Sequence, residues 1–392
     1  MTISQATRDY IRNHQNDDVR ALALKVCRDA GVDFLFALQQ IQGRQKAKEK
    51  LPEMYDNPDI IFPATVSMEQ CSSEATARYK VSIVHGDSFA DLTGGFGVDT
   101  MALAKCFQQG FYIEPSTELC EVFEHNAHAL RIRNIQIRQG RMEEILPTLP
   151  EVDLLYLDPS RRDGHGQRVV ALTDCTPNVP EYKDALLNKA CKGVLVKLSP
   201  MLDIKAALQQ LPETQEIHVL AVHGECKEVL FLLRHDKAEN IAYHAVNIQG
   251  ETVTDFQFSS QEEAEAVPEL AECVGKYLLE PNAAIMKAGA FKCVATRYGL
   301  RKLHAHSHLY TCDEPVADFP GRGFTIEKVV AFNKKEVKRQ LAGLGKANVA
   351  VRNFPLSAEA LRKQLKLGDG GDVYLFGTTL RAGEKVLVVT RK

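Results

Sequence analysis

The chain has 392 residues, 45% of them hydrophobic and 25% charged, with a formal net charge of −3; this is globular composition with room for two or three domains. No run of about 18 uncharged apolar residues occurs, which excludes a transmembrane helix, and the N-terminal stretch Met1–Tyr10 lacks the apolar core of a signal peptide. The charge is uneven: residues 322–392 carry 15 Lys+Arg against 6 Asp+Glu, or +9, leaving −12 on the rest, a basic module on an acidic body that points to nucleic-acid contact.

Residues 1–65 read as helical, with amphipathic segments Asp18–Cys27 and Phe34–Ile41 separated by Gly31. The basic run Gly43–Lys50 reads either as an exposed helix end or as a phosphate contact. Met68–Thr76 is a polar helix start. Residues 66–238 then alternate strands (near 88–92, 111–114, 133–138, 152–157, 193–198, 216–222 and 227–234) with helices at 98–109, 116–130, 141–147 and 202–211. Alternation of this kind predicts a parallel sheet covered on both faces.

The most informative stretch is Asp91-Leu-Thr-Gly-Gly-Phe-Gly-Val-Asp99, a glycine loop between a strand and a helix. Glu114 follows at the end of the next apolar run, where a carboxylate suits a ribose diol. The apolar strand Val152–Leu157 ends in Asp158-Pro159-Ser160-Arg161-Arg162. Ligands of open parallel sheets sit at the carboxyl ends of the strands, so Asp158 and Arg161 are expected over the crevice lined by the glycine loop. Lys197 is a charge inside the apolar strand Val194–Leu198, and must reach the crevice or pair with a carboxylate such as Asp158. The link His223–Lys227 is too short for a crossover helix, so the last two strands of this region are predicted to be antiparallel.

From about 239 the pattern changes. Strand-like runs 242–248 and 252–258, an acidic stretch and a helix start near Glu280 make a small α+β domain over 239–321, with a ferredoxin-like unit as one reading of it. Leu303–Tyr310 reads as a strand with His304, His306 and His308 on one face; a polar sheet face is the expectation there rather than a metal site. Residues 322–392 read as a compact basic α+β domain, with strands at 325–332, 347–352, 373–380 and 385–391 and helices at 334–341 and 358–367. Ten cysteines lie scattered without a Cys-x-x-Cys pair, which predicts reduced thiols in a cytoplasmic protein and no metal.

The middle of the chain resembles class I S-adenosylmethionine (SAM) methyltransferases, on the loop Asp91–Val98, the spaced Glu114 and the Asp158-Pro159 motif. It departs from that pattern at Thr93, which replaces the first glycine, at Ser160-Arg161, which replaces Pro-aromatic, and at Gln139–Glu143, which lacks the Asp that often meets adenine. Residues 351–379 resemble the THUMP-like domain found behind a group of bacterial class I methyltransferases. The resemblance implies an α/β fold: a Rossmann-like seven-stranded class I methyltransferase sheet, with N-terminal helices and C-terminal α+β domains. It implies SAM as cofactor, bound by Asp91, Thr93, Gly94, Gly95, Gly97, Val98, Glu114, Pro115, Arg141 and Met142. It implies catalysis by Asp158 and Pro159 with Arg161 and Lys197 in the substrate pocket, and RNA (tRNA or rRNA) as partner, with a purine amino group as first-choice acceptor. Arg161 and Arg162 read as base-stacking, phosphate-holding or solvent-facing. Two other readings stand beside this one: an RNA-binding protein with an inactive methyltransferase domain, and an NAD-type oxidoreductase on the same glycine loop.

Overall fold

A computed structural model describes residues 3–24, 31–160 and 172–392. The chain divides into two compact units, residues 1–215 with 228–238, and residues 216–227 with 239–392.

The first unit opens with the helices Gln5–His14, Val19–Ala23, Phe34–Lys50 and Pro52–Asp56. Ser4, Asp18 and Asp33 cap three of them by accepting a backbone N–H from the first turn. Helices Thr65–Gln70 and Glu74–Ser82 follow, the second capped by Ser73. The chain continues through β1 (Ser88–Asp91), β2 (Gln109–Glu114), β3 (Ile135–Gln139), β4 (Val152–Leu157), β5 (Ala190–Leu198), β6 (Thr214–Val222), which belongs mostly to the second unit, and β7 (Glu225–Leu233). Within the first unit the strand order is β3-β2-β1-β4-β5-β7. The first five strands pair in parallel, and β7 is antiparallel to β5. Their apolar runs bury on both faces, as covered parallel strands must. Only His223 and Gly224 separate β6 from β7, both at positive φ (51° and 81°), the conformation of a tight reversing turn. The reversed last strand is the expected feature.

In the second unit β6 pairs in parallel with β8 (Ala242–Gln249), which pairs antiparallel with β9 (Thr252–Ser259). The sequence pattern assigns these two strands to the small α+β domain; in the structure they continue from β6. A second sheet has the order β11-β12-β10-β13-β16-β15-β14, from β10 (Tyr277–Pro281), β11 (Arg301–Lys302), β12 (Tyr310–Cys312), β13 (Gly321–Ala331), β14 (Asn348–Arg352), β15 (Val373–Thr379) and β16 (Lys385–Arg391). Helices Lys334–Gln340 and Ala358–Leu365 lie between its last strands in sequence, and Leu361 is fully buried among Val330, Leu375 and Leu387.

The strand expected over 303–310 does not form. Residues 303–309 are the loop between β11 and β12, closed by a Leu303 N–H bond to Leu309 O (3.0 Å). Buried Ser307 ties it to Thr379 O (2.8 Å), and His308 sits at φ 50°, stacked on Phe291. The loop's own hydrogen bonds override the period-two pattern, so His304, His306 and His308 share no strand face. Among the described residues no helix is long and apolar enough to cross a membrane.

Candidate active site

In β1, Asp91 pairs with Tyr112 of β2 on one side and Tyr156 of β4 on the other. The carboxyl ends of the three strands therefore coincide, and the glycine loop, Glu114 and Asp158 meet at one edge.

Asp91 is 1% exposed and its carboxylate is used inside the loop. It accepts the Thr93 N–H (3.0 Å) and the Thr100 hydroxyl (2.5 Å). Burial pushes its carboxyl up to about 7; the bonds from Thr100 and Thr93 oppose that, while Asp99 and Asp158 add to it. Thr93, the departure from the glycine pattern, fastens the loop to the end of β4, because its hydroxyl accepts the backbone N–H of Asp158 at 2.7 Å. The glycines answer to what lies beneath the loop. A Cβ on Gly94 would stand 2.3 Å from the Tyr112 ring, and one on Gly97 2.2 Å from Phe123; these two rings stack at 3.9 Å. Gly97 also sits at φ 82° ahead of the helix Val98–Ala104.

Glu114 reaches over the loop. Its Oε2 accepts the Gly95 N–H and its Oε1 the Ser116 N–H, both at 2.9 Å. Each oxygen of a carboxylate has two acceptor positions, so one on each is left for a diol. This donor–acceptor balance fits a bound ribose. Gly140 N–H donates to Glu114 O (3.1 Å), which brings the turn Arg141–Met142 beside β2; Met142 is buried, while Arg141 and Pro115 are exposed.

Asp158 opens onto a buried ionic network. Lys197 donates to Asp158 Oδ2 and to Ser72 Oγ (3.1 Å). Lys80 donates to the same Ser72 Oγ (3.0 Å) and to Asp99 Oδ1 (3.0 Å), and stands 2.6 Å from Glu228 Oε1. Ser72 in turn donates to Asp99 Oδ2 (2.6 Å), which also accepts the Tyr156 hydroxyl (2.7 Å). The serine thus takes two bonds and gives one, the full capacity of a hydroxyl. Two ammonium groups face three carboxylates. Their side chains are at most 10% exposed except that of Asp158, at 35%, so the network meets solvent at Asp158. Burial would lower the Lys197 pKa, but Asp158, Asp99 and Glu228 outweigh it and hold the ammonium charged. Burial likewise opposes ionisation of Asp99, yet Lys80 and Lys197 draw it below its ordinary value.

The predicted pairing of Lys197 with Asp158 is present. Pro159 is buried behind Asp158; Arg161 lies outside the described residues. Ser72, Lys80, Asp99, Tyr156 and Glu228 belong to the network behind Asp158, and the sequence reading does not single them out. Glu228 and Tyr156 sit in apolar strands, the same signal that marks Lys197. Lys80, on a short polar helix, carries no such mark.

A family model for a ferredoxin-like domain matches residues 277–320, and one for a THUMP domain-like module matches residues 321–392. A crystal structure from Porphyromonas gingivalis W83, named a methyltransferase by inference, is 36% identical, covers 99% of this chain and 97% of its own, and superposes with a TM-score of 0.88. An uncharacterised S-adenosylmethionine-dependent methyltransferase of Mycobacterium tuberculosis is 23% identical over 346 residues, 87% of this chain and 91% of that one. A 73-residue stretch, 18% of this chain and 16% of the other, is 36% identical to an uncharacterised RNA methyltransferase of Synechocystis sp. PCC 6803. With the strand order, the reversed β7 and the loop–Glu114 geometry, these similarities establish that the chain belongs to the class I SAM-dependent methyltransferases that carry a C-terminal THUMP-like domain.

Proposed function

We propose that this methyltransferase modifies structured RNA, tRNA or rRNA, at an amino group of a purine. The RNA reading rests on the THUMP-like match over 321–392 coinciding with the +9 segment of an otherwise acidic chain. The short match to an RNA methyltransferase supports it.

In this reading Glu114 takes the ribose hydroxyls of SAM. Asp91, Thr93, Gly94, Gly95, Gly97, Val98, Pro115, Arg141 and Met142 surround the rest of the cofactor. When bound, SAM supplies an electrophilic methyl group on a sulfonium. The chain's part is to orient an amine for in-line attack. A base amine is a weak nucleophile because its lone pair is delocalised into the ring. The Asp158 carboxylate accepts an N–H bond from it, a backbone carbonyl at Pro159 accepts another, and the lone pair is localised toward the methyl. Lys197 holds the carboxylate in place through its ion pair. Arg161 belongs to the substrate pocket in this proposal.

The test is methyl transfer from labelled SAM to total RNA of a strain lacking the gene, with nucleoside mass spectrometry of the product. Wild type is expected to label one modified purine. Asp158→Ala is expected to lose transfer while SAM affinity, measured by calorimetry, stays nearly unchanged. Transfer at near wild-type rate in that variant removes Asp158 from the mechanism; label in protein or a small molecule alone removes RNA.

A further inference from the structure

We propose that Glu216, His218 and His244 form a binding site for one divalent metal ion of the zinc class, on the face shared by β6, β8 and β9. Glu216 and His218 are two apart on β6 and so point to one face. The parallel register sets His218 directly beside His244 on β8. Each of the three offers a ligand atom, and all three atoms lie within 4.8 Å of one another. Glu216 Oε2 and His218 Nε2 are 3.4 Å apart. Two ligands held about 2.1 Å from a tetrahedral zinc stand about 3.4 Å from each other, so this edge of the site is already at coordination spacing.

The surroundings orient the third ligand. His244 Nδ1 is 2.7 Å from Asp255 Oδ2, and Gln257 donates to the same oxygen at 2.8 Å. A carboxylate on one ring nitrogen fixes the tautomer and leaves the other, here Nε2, as the lone-pair donor for an ion, as it does for metal-bound histidines generally. His218 is 1% exposed, so one of the two imidazoles is held within the packed sheet. The two rings stack at 4.3 Å and 14°, which leaves their nitrogens side by side rather than converging. Two ligands of one ion are at most about 4.2 Å apart, so capture turns the His244 ring. There is room for it: His244 borders an open cavity of about 420 Å³, lined also by Tyr243, Gln257, Phe258, Glu262 and Arg297. Three protein ligands leave the fourth position of a tetrahedral ion free. Two imidazoles and one carboxylate with an open position suit zinc or a neighbouring transition ion, and do not suit calcium or magnesium, which take oxygen ligands.

The test uses the full chain, freed of metal with a chelator and alkylated at its exposed thiols, Cys106, Cys191 and Cys273. It is titrated with Co²⁺ alone, then with Zn²⁺ in competition. The expected result is one equivalent of Co²⁺ with the visible absorption of a four-coordinate ion, displaced by Zn²⁺. His218 is buried, so His244→Ala and Asp255→Asn carry the test, each with folding checked by circular dichroism. Asp255→Asn should weaken binding roughly 10–100-fold, and His244→Ala by more. No saturable binding, or equal affinity in wild type and His244→Ala, overturns the proposal.

Discussion

At the scale of single residues, Asp91 and Asp99 give the fold opposite responses to pH. Burial raises the Asp91 carboxyl to about 7 in the folded chain, against about 3.9 when unfolded. Between those values the folded state holds a proton that the unfolded state has released, so stability falls as pH rises from about 4 to about 7. Asp99 is depressed, so its contribution is complete above about 4 and fades as pH drops further. Thermal denaturation of wild type from pH 5 to 8 should therefore show a falling Tm, with a flatter slope in Asp91→Asn. Parallel slopes would mean that Asp91 is ionised throughout. Glu114 invites a second measurement: Glu114→Gln removes the charge that receives the ribose hydroxyls, at a cost of about 1.5–3 kcal/mol of SAM binding by calorimetry; unchanged affinity would place the ribose elsewhere. Asp91, Glu114, Asp158 and Lys197 are legible in the sequence because strand ends and apolar strands single out a charge. Asp99 is not, because a helix-borne carboxylate is ordinarily solvated, and its burial depends on Lys80 and Ser72 from a separate segment.

At the scale of elements, the network joins Lys80 of the helix Glu74–Ser82 directly to Glu228 of β7, and through Ser72 and Asp99 to Lys197 of β5 and Tyr156 of β4. Breaking a buried pair by removing one partner leaves the other charge uncompensated, at about 3–5 kcal/mol. Lys80→Met should destabilise by about that much in chemical denaturation, and Lys80→Met with Asp99→Asn should recover part of the loss. A cost near zero for the single variant would show that water already compensates Asp99 and Glu228. The strands themselves are readable from their apolar runs, usually to within a few residues. Their partners are less so: nothing local in 242–248 records that it pairs with β6. For the same reason the cluster of Glu216, His218 and His244 is invisible in the sequence, since it exists only once two distant strands are in register. The three histidines of 303–309 mislead in the other direction, because a turn tied down by Ser307 and Leu303 can carry an alternating pattern without being a strand.

At the scale of the molecule, the +9 of residues 322–392 predicts RNA binding that weakens steeply with salt. Lys334, Lys335 and Lys338 lie on one helix and Lys363 on another, while Arg339 and Arg362 are engaged by Glu336 and Asp369. Replacing those four lysines by glutamine in the full chain should weaken filter-bound RNA of many sequences alike and lower the log–log salt slope by roughly one for each phosphate no longer neutralised. An unchanged slope would assign the domain a structural or protein-contacting role. Point substitutions are needed because of the way β13 is built. Its residues 321–325 pair with β10, and 325–331 pair with β16. One continuous strand is thus claimed in succession by two modules, and Thr325 serves both. A chain cut at 321 would strip β10 of that neighbour and leave an open edge, the usual seed of aggregation. The same seam weighs on inheritance: β13 lies wholly in the THUMP-like match, so a gene rearrangement that separated the modules would leave β10 without its neighbour in one product and residues 321–324 without theirs in the other, a structural cost attached to parting the two.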